Sequence, residues 1–128
     1  MNTEKVSINV NVVDIGKIEL LIDKGIYTNK TDFMIKAISN ELNKNEFHFD
    51  RTIRELEKDV DIQIGKVKYD TEKLKEIKAS NMGIKLYVIG RLTIDEDVSL
   101  QLAKETLLSI KVFGPCKMSK ELKDYYKL

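Results

Sequence analysis

Three hydrogen-bonding side chains stand two residues apart near the start of the chain: Lys5, Ser7 and Asn9, interleaved with Val6, Ile8, Val10 and Val12. A period of two makes this a half-buried strand, apolar on one face and polar on the other. Along the polar face run an ammonium donor, a hydroxyl that donates and accepts, and a carboxamide that does both at once. A second chemical candidate is Asp95-Glu96-Asp97, which gathers oxygen ligands for a hard cation or paired carboxylates for proton transfer. A solvated loop ahead of a helix near Val98 is the simpler reading of those acids. His48, between Phe47 and Phe49, has no nucleophile near it in sequence and is expected to pack beside those rings. Cys116, far from any histidine or cationic cluster, is expected in the core.

Several chemistries are excluded by what the chain lacks. Its six glycines never cluster into a phosphate-cradling loop. One cysteine and one histidine give no disulfide and too few soft ligands for zinc within one chain. The expectation is therefore no enzyme, no catalytic or metal-binding residues and no cofactor. Twenty-two basic residues face 21 acidic ones, and residues 1–46 carry six lysines against seven acids. Any affinity for nucleic acid must then come from where individual cations sit. The apolar runs fall far short of the roughly 20 residues a membrane span needs, and nothing near Met1 resembles a secretion signal, so a cytoplasmic protein is expected.

The elements that hold these residues follow from periodicity. After the strand, Ile15, Ile18, Leu21 and Ile22 recur at helical spacing and Gly25 follows, which predicts a helix over about Val13–Lys24. Thr28 and Asn29 can cap a second helix, with Asp32 in a box-like position and Phe33, Ile35, Ala37, Ile38 and Leu42 as its buried stripe. Ile53, Leu56 and Val60 suggest a third, connecting helix from near Asp50. One strand is no sheet, and a core of about 46 residues is marginal. Pairing the strand with its copy from a second chain resolves both difficulties.

Taken together, strand, helix, the run Gly25-Ile26-Tyr27-Thr28-Asn29-Lys30-Thr31-Asp32-Phe33 and helix resemble the ribbon-helix-helix, CopG-like bacterial transcriptional regulators, over residues of about 4–45. Lys30 stands where that family usually has arginine, and Ile35 where it often has a second. The resemblance implies an antiparallel two-stranded ribbon inserted in the DNA major groove. It makes Lys5, Ser7 and Asn9 the base readers. Lysine can donate to guanine, asparagine can meet adenine with a donor and an acceptor, and serine can do either. It also places a DNA phosphate at Asn29, Lys30 and Thr31, on the free N–H groups at a helix start.

The second half carries a weak repeat. Ile64-Gly65-Lys66-Val67, Ile89-Gly90-Arg91-Leu92 and Phe113-Gly114-Pro115-Cys116 align on glycines 25 and 24 residues apart (90 − 65 and 114 − 90). Each block follows an apolar or alternating stretch and precedes a helical one, which predicts three strand-then-helix units stacked as a short parallel solenoid. Val67, Leu92 and Cys116 would form one ladder and Tyr69, Ile94 and Met118 another, with an ordinary small α/β domain as the fallback. The open strand edges of such a stack invite pairing with a further copy, and the same half could equally hold an effector.

The expected fold class is thus α+β: an N-terminal ribbon-helix-helix, an intertwined dimer over 1–46, then a connecting helix over 47–60 and a small α/β domain of three βα repeats over 61–128 for assembly or sensing. The expected function is a sequence-specific repressor of transcription that binds double-stranded DNA as a homodimer through its N-terminal strand, or as a higher oligomer through residues 61–128. The alternative is a protein-interaction module, an antitoxin-like partner whose N-terminal half only dimerises.

Overall fold

The computed structural model describes residues 3–128. These form α1 Val12–Asp23, α2 Lys30–Lys44, α3 Glu46–Leu56, β1 Asp61–Tyr69, α4 Thr71–Ala79, β2 Ile84–Ile94, α5 Leu100–Thr106, β3 Leu107–Phe113, β4 Cys116–Lys117 and α6 Lys120–Tyr126. They divide into two units, one over Lys5–Thr52 and one made of Ile53–Leu128 with Thr3 and Glu4. Among the described residues no helix is long and apolar enough to cross a membrane.

In the first unit the helices stand where capping chemistry places them. Asn11 Oδ1 accepts the N–H of Val13 at 2.8 Å to open α1. Gly25, at φ +76°, closes it, with its own N–H on Ile22 O and that of Ile26 on Leu21 O. Asn29 Oδ1 accepts from Asp32 N at 2.7 Å, and Asp32 Oδ2 takes the Thr28 N–H at 3.0 Å in return. The third helix starts at Glu46 rather than near Asp50, because Asn45 alone separates it from α2 and the Phe49 N–H already bonds to Asn45 O. His48 stacks edge-on against Phe47 at 6.0 Å, yet both are exposed, so the packing expected there is only partial.

Two expectations for this unit do not hold within one chain. Residues 5–11 form no strand, since a strand exists only as a ladder and no neighbouring backbone pairs with them. Nor is the stripe on α2 buried: Ile35, Ile38 and Leu42 are 59–67% exposed, and only Phe33 and Met34 are half-covered. Ile18 is the one buried apolar residue of the unit among those described.

The second unit is a parallel sheet in the order β1-β2-β3, with β4 also pairing β2. The register sets Val67 against Leu92 and Leu92 against Cys116, and Tyr69 against Ile94, as the repeat predicts. Met118 lies one residue beyond β4 and is buried in the same core. The third strand is interrupted at Gly114-Pro115, and the Pro115 carbonyl bridges the gap by accepting the Leu92 N–H at 3.1 Å. Each unit's helix opens on a side-chain cap, namely Asp70, Ser99 and Ser119. The helix after the acidic run begins at Leu100 instead of Val98, and Val98 is buried in the core.

Alternation then sorts the sheet residues. Leu86, Val88, Leu92 and Ile94 are buried to within 1% against Leu74 of α4, Ala103 of α5 and Leu122 of α6. Residues of the other parity form an outer face, which the glycines divide. On one side lie Ile64, Tyr87, Ile89 and Phe113, with Lys111 Nζ 5.9 and 5.3 Å from the Tyr87 and Phe113 ring centres. On the other lie Lys66, Lys68, Arg91, Thr93 and Lys117. Gly65, Gly90 and Gly114 have φ of +117°, +132° and +135°, a backbone that L side chains rarely adopt.

Cys116 packs half-buried against the core, as expected, and burial pushes its thiol up while Lys123 opposes the shift. Tyr126 anchors the C-terminal helix by donating its hydroxyl to Leu107 O at 2.7 Å. Burial, then Tyr125, pushes its phenol well above the usual 10.0. The neutral phenol therefore stabilises the fold fully below about pH 10, and this contribution is lost as pH rises further. Tyr126→Phe should cost about 0.5–1.5 kcal/mol at neutral pH and flatten the alkaline limb of a stability-versus-pH curve from urea unfolding.

Candidate functional site

Lys5, Ser7 and Asn9 are all exposed in residues 3–11, the segment with no secondary structure. Val6 and Ile8, alternating with them, are 80% and 73% exposed, far beyond what apolar side chains of a finished surface show in a row. The polar row is therefore accessible, and its apolar counter-face is uncovered.

The second set gathers at the N-terminus of α2, a 15-residue helix whose Asp32 and Phe33 N–H groups bond to Asn29. Asn29 is committed to its cap. Lys30 Nζ pairs with Glu19 Oε1 of α1 at 3.0 Å, both side chains more than half exposed, and Thr31 is exposed. An exposed pair of this kind is worth about 0–1 kcal/mol, so Lys30 can leave Glu19 for a stronger anion at little cost. Asp32 weakens the local field. The Thr28 N–H, then Lys36, holds its carboxyl below the usual carboxylate range, so it is charged at neutral pH beside any anion bound there. Tyr27 fixes the approach to the helix by packing edge-on against Phe33 at 4.9 Å, with Lys36 Nζ 5.4 Å from its ring centre.

The acidic run does structural service. Asp95 Oδ1 accepts the Glu96 N–H at 2.8 Å, its other oxygen lies 3.9 Å from Lys68 Nζ, and the Asp97 carbonyl accepts from Thr71 Oγ1 at 3.2 Å. Among the described residues no three His, Cys, Asp or Glu side chains come together as a metal would need.

Sequence reasoning missed the Glu19 partner of Lys30, for which eleven residues of separation give no signal. It also missed the basic half of the outer sheet face. There a signal existed: Lys66 and Arg91 each follow a repeat glycine by one residue, and Lys68 and Lys117 follow one by three.

No curated protein and no solved structure is significantly similar to this chain. One family model does match, over residues 1–123, and so takes in the sheet unit as well as the strand-and-helices region to which the sequence resemblance was confined. With nearly the whole length matched, both units are family property and the chain belongs to the Ribbon-Helix-Helix transcriptional regulator family.

Proposed function

We propose that this regulator is a sequence-specific repressor whose working form is a homodimer built through residues 5–11. Two copies of the segment pair as an antiparallel ribbon, turn Val6, Ile8 and Val10 onto the four helices beneath, and present Lys5, Ser7 and Asn9 to base edges in the major groove. The N-terminus of α2, with Asn29, Lys30 and Thr31, seats a backbone phosphate on each side. The observation that carries this reading is the uncovered apolar set. Val6, Ile8, Ile35, Ile38 and Leu42 are each at least 59% exposed in a unit that one chain cannot close. A second copy covers them with the least new chemistry.

Residues 1–46 thus form the DNA-binding and dimerisation domain, 47–60 a connecting helix, and 61–128 an assembly or sensing domain. Repression follows from occupancy in the cytoplasm. If the sheet units join dimers through their strand edges, a second dimer sits about one helical turn away and two weak contacts become one stronger one.

The test is binding to a panel of promoter duplexes at two salt concentrations. Lys5→Ala and Asn9→Ala should each cost about 1–3 kcal/mol on the preferred sequence and little on others. Lys30→Ala should weaken every sequence alike and flatten the salt dependence. Equal affinity for all duplexes, or unchanged preference in the first two variants, removes the base-reading role. A protein partner that survives nuclease treatment in that case would make the N-terminal half a dimerisation module for protein capture.

A further inference from the structure

The outer face of the sheet carries a concentration of positive charge that neither core packing nor DNA reading by the N-terminal ribbon uses. Lys66 and Lys68 of β1, Arg91 of β2 and Lys117 of β4 share that face. Neighbouring strands lie about 4.8 Å apart and same-face residues about 6.6 Å apart along a strand, so the backbone positions of these cations fall within about 12 Å of one another. Like charges so close repel, and a sheet gains nothing from placing them opposite each other. Among the described residues two of the four cations have an ion pair: Lys68, with Asp95 at 3.9 Å, and Arg91, whose Nη2 donates to Glu4 Oε2 at 3.0 Å. The other two, Lys66 and Lys117, have none among those residues.

The shape of the face adds a second, independent observation. Lys66, Lys68, Arg91, Thr93, Lys117 and Glu4, with Pro115 and Cys116, line a groove of about 490 Å³, and Gly65 and Gly90 line the hollow next to it that shares Glu4, Lys66 and Arg91. Arg91 is the most buried of these cations, its side chain 35% exposed, and so the best screened from water. The anion already resting on it is a side chain of the same chain, held by one exposed carboxylate that a multivalent ligand can outcompete.

We infer that this groove is a binding site for a small polyanion, with two or more phosphate or carboxylate groups, that displaces Glu4 from Arg91 and is gripped by Lys66, Arg91 and Lys117. Thr93, in register between Lys68 and Lys117, supplies a hydroxyl, and the main chain of Gly65 and Gly90 is exposed beside Lys66 and Arg91. This inference does not depend on the proposed DNA contacts, because all the residues it uses lie in the unit of Ile53–Leu128 with Glu4.

Calorimetric titration of the full chain with inorganic pyrophosphate and, separately, with citrate tests it and tells a phosphate ligand from a carboxylate one. Saturable binding of at least one is expected. Arg91→Gln should weaken it at least tenfold, Lys66→Gln and Lys117→Gln several-fold each, and Glu4→Gln should tighten it several-fold by removing the internal competitor. These side chains are solvent-accessible, and unchanged circular dichroism checks that each variant folds. No saturable binding of either anion, or Glu4→Gln binding no tighter than the parent, overturns the inference. So does an Arg91→Gln variant that loses duplex DNA in the same proportion as pyrophosphate, since the groove would then belong to the DNA track. Loss of DNA reading in Lys5→Ala with pyrophosphate binding intact would separate this site from the ribbon.

Discussion

Ile8→Asp is expected to convert the protein into a monomer that binds no duplex selectively. In the proposed dimer Ile8 lies at the middle of the paired segments and passes from 73% exposed to covered. A carboxylate there must be desolvated twice, once per copy, at several kcal/mol each with no partner charge in reach. A ribbon that buries so little area cannot absorb that loss. Sedimentation should show the molecular weight halving, and gel shift should show specific binding gone rather than weakened. Ser7→Asp is the counterpart on the other face. It should leave the dimer whole and abolish DNA binding by setting a negative charge in the groove. If Ile8→Asp stays dimeric, the segment is not the interface, and the ribbon falls with it.

The second large effect lies in the sheet. Gly65→Ala, Gly90→Ala and Gly114→Ala all force alanine into a positive-φ backbone, at about 1–3 kcal/mol of strain each. At Gly65 the strain is the whole cost, since a Cβ there meets nothing within 4 Å. At Gly90 the new Cβ runs into the Gly65 carbonyl oxygen, and at Gly114 into that of Gly90. These are backbone atoms of a paired strand and cannot swing aside. The Gly90 and Gly114 substitutions should therefore each cost more than about 3 kcal/mol, a large share of the roughly 5–15 kcal/mol that holds a domain together. Urea midpoints should rank Gly65→Ala well above the other two. Equal losses at all three would mean that strain alone explains the column.

Much of this was legible from residues, and the gaps have physical reasons. Caps announced themselves: Asn29 and Asp32 sit where a helix start needs an acceptor and a returning carboxylate, and Gly25 where a helix end needs positive φ. The glycine period gave the ladder Val67-Leu92-Cys116 because a parallel stack repeats the same register from strand to strand. By contrast, periodicity could not say whether the Val6 face and the α2 stripe are covered. An alternating segment states which side prefers burial, and in the proposed dimer the coverage comes from another chain. Lys30 finding Glu19 depends on how α1 and α2 cross, which no local spacing encodes. The polar Asn43-Lys44-Asn45 stretch looks like a loop yet gives up only Asn45 to the turn, so α3 starts earlier than its apolar residues suggest.

The three stacked glycines also govern how such a chain can lengthen over evolutionary time. A duplicated unit joins the stack only if it brings its own bare residue to the same rung, since any side chain would strike the carbonyl of the coil before it. Loops and helices between rungs can drift, as the intervals of 25 and 24 residues already do. A longer descendant of this protein should keep that one residue type in each added coil after nearly all other identity has eroded.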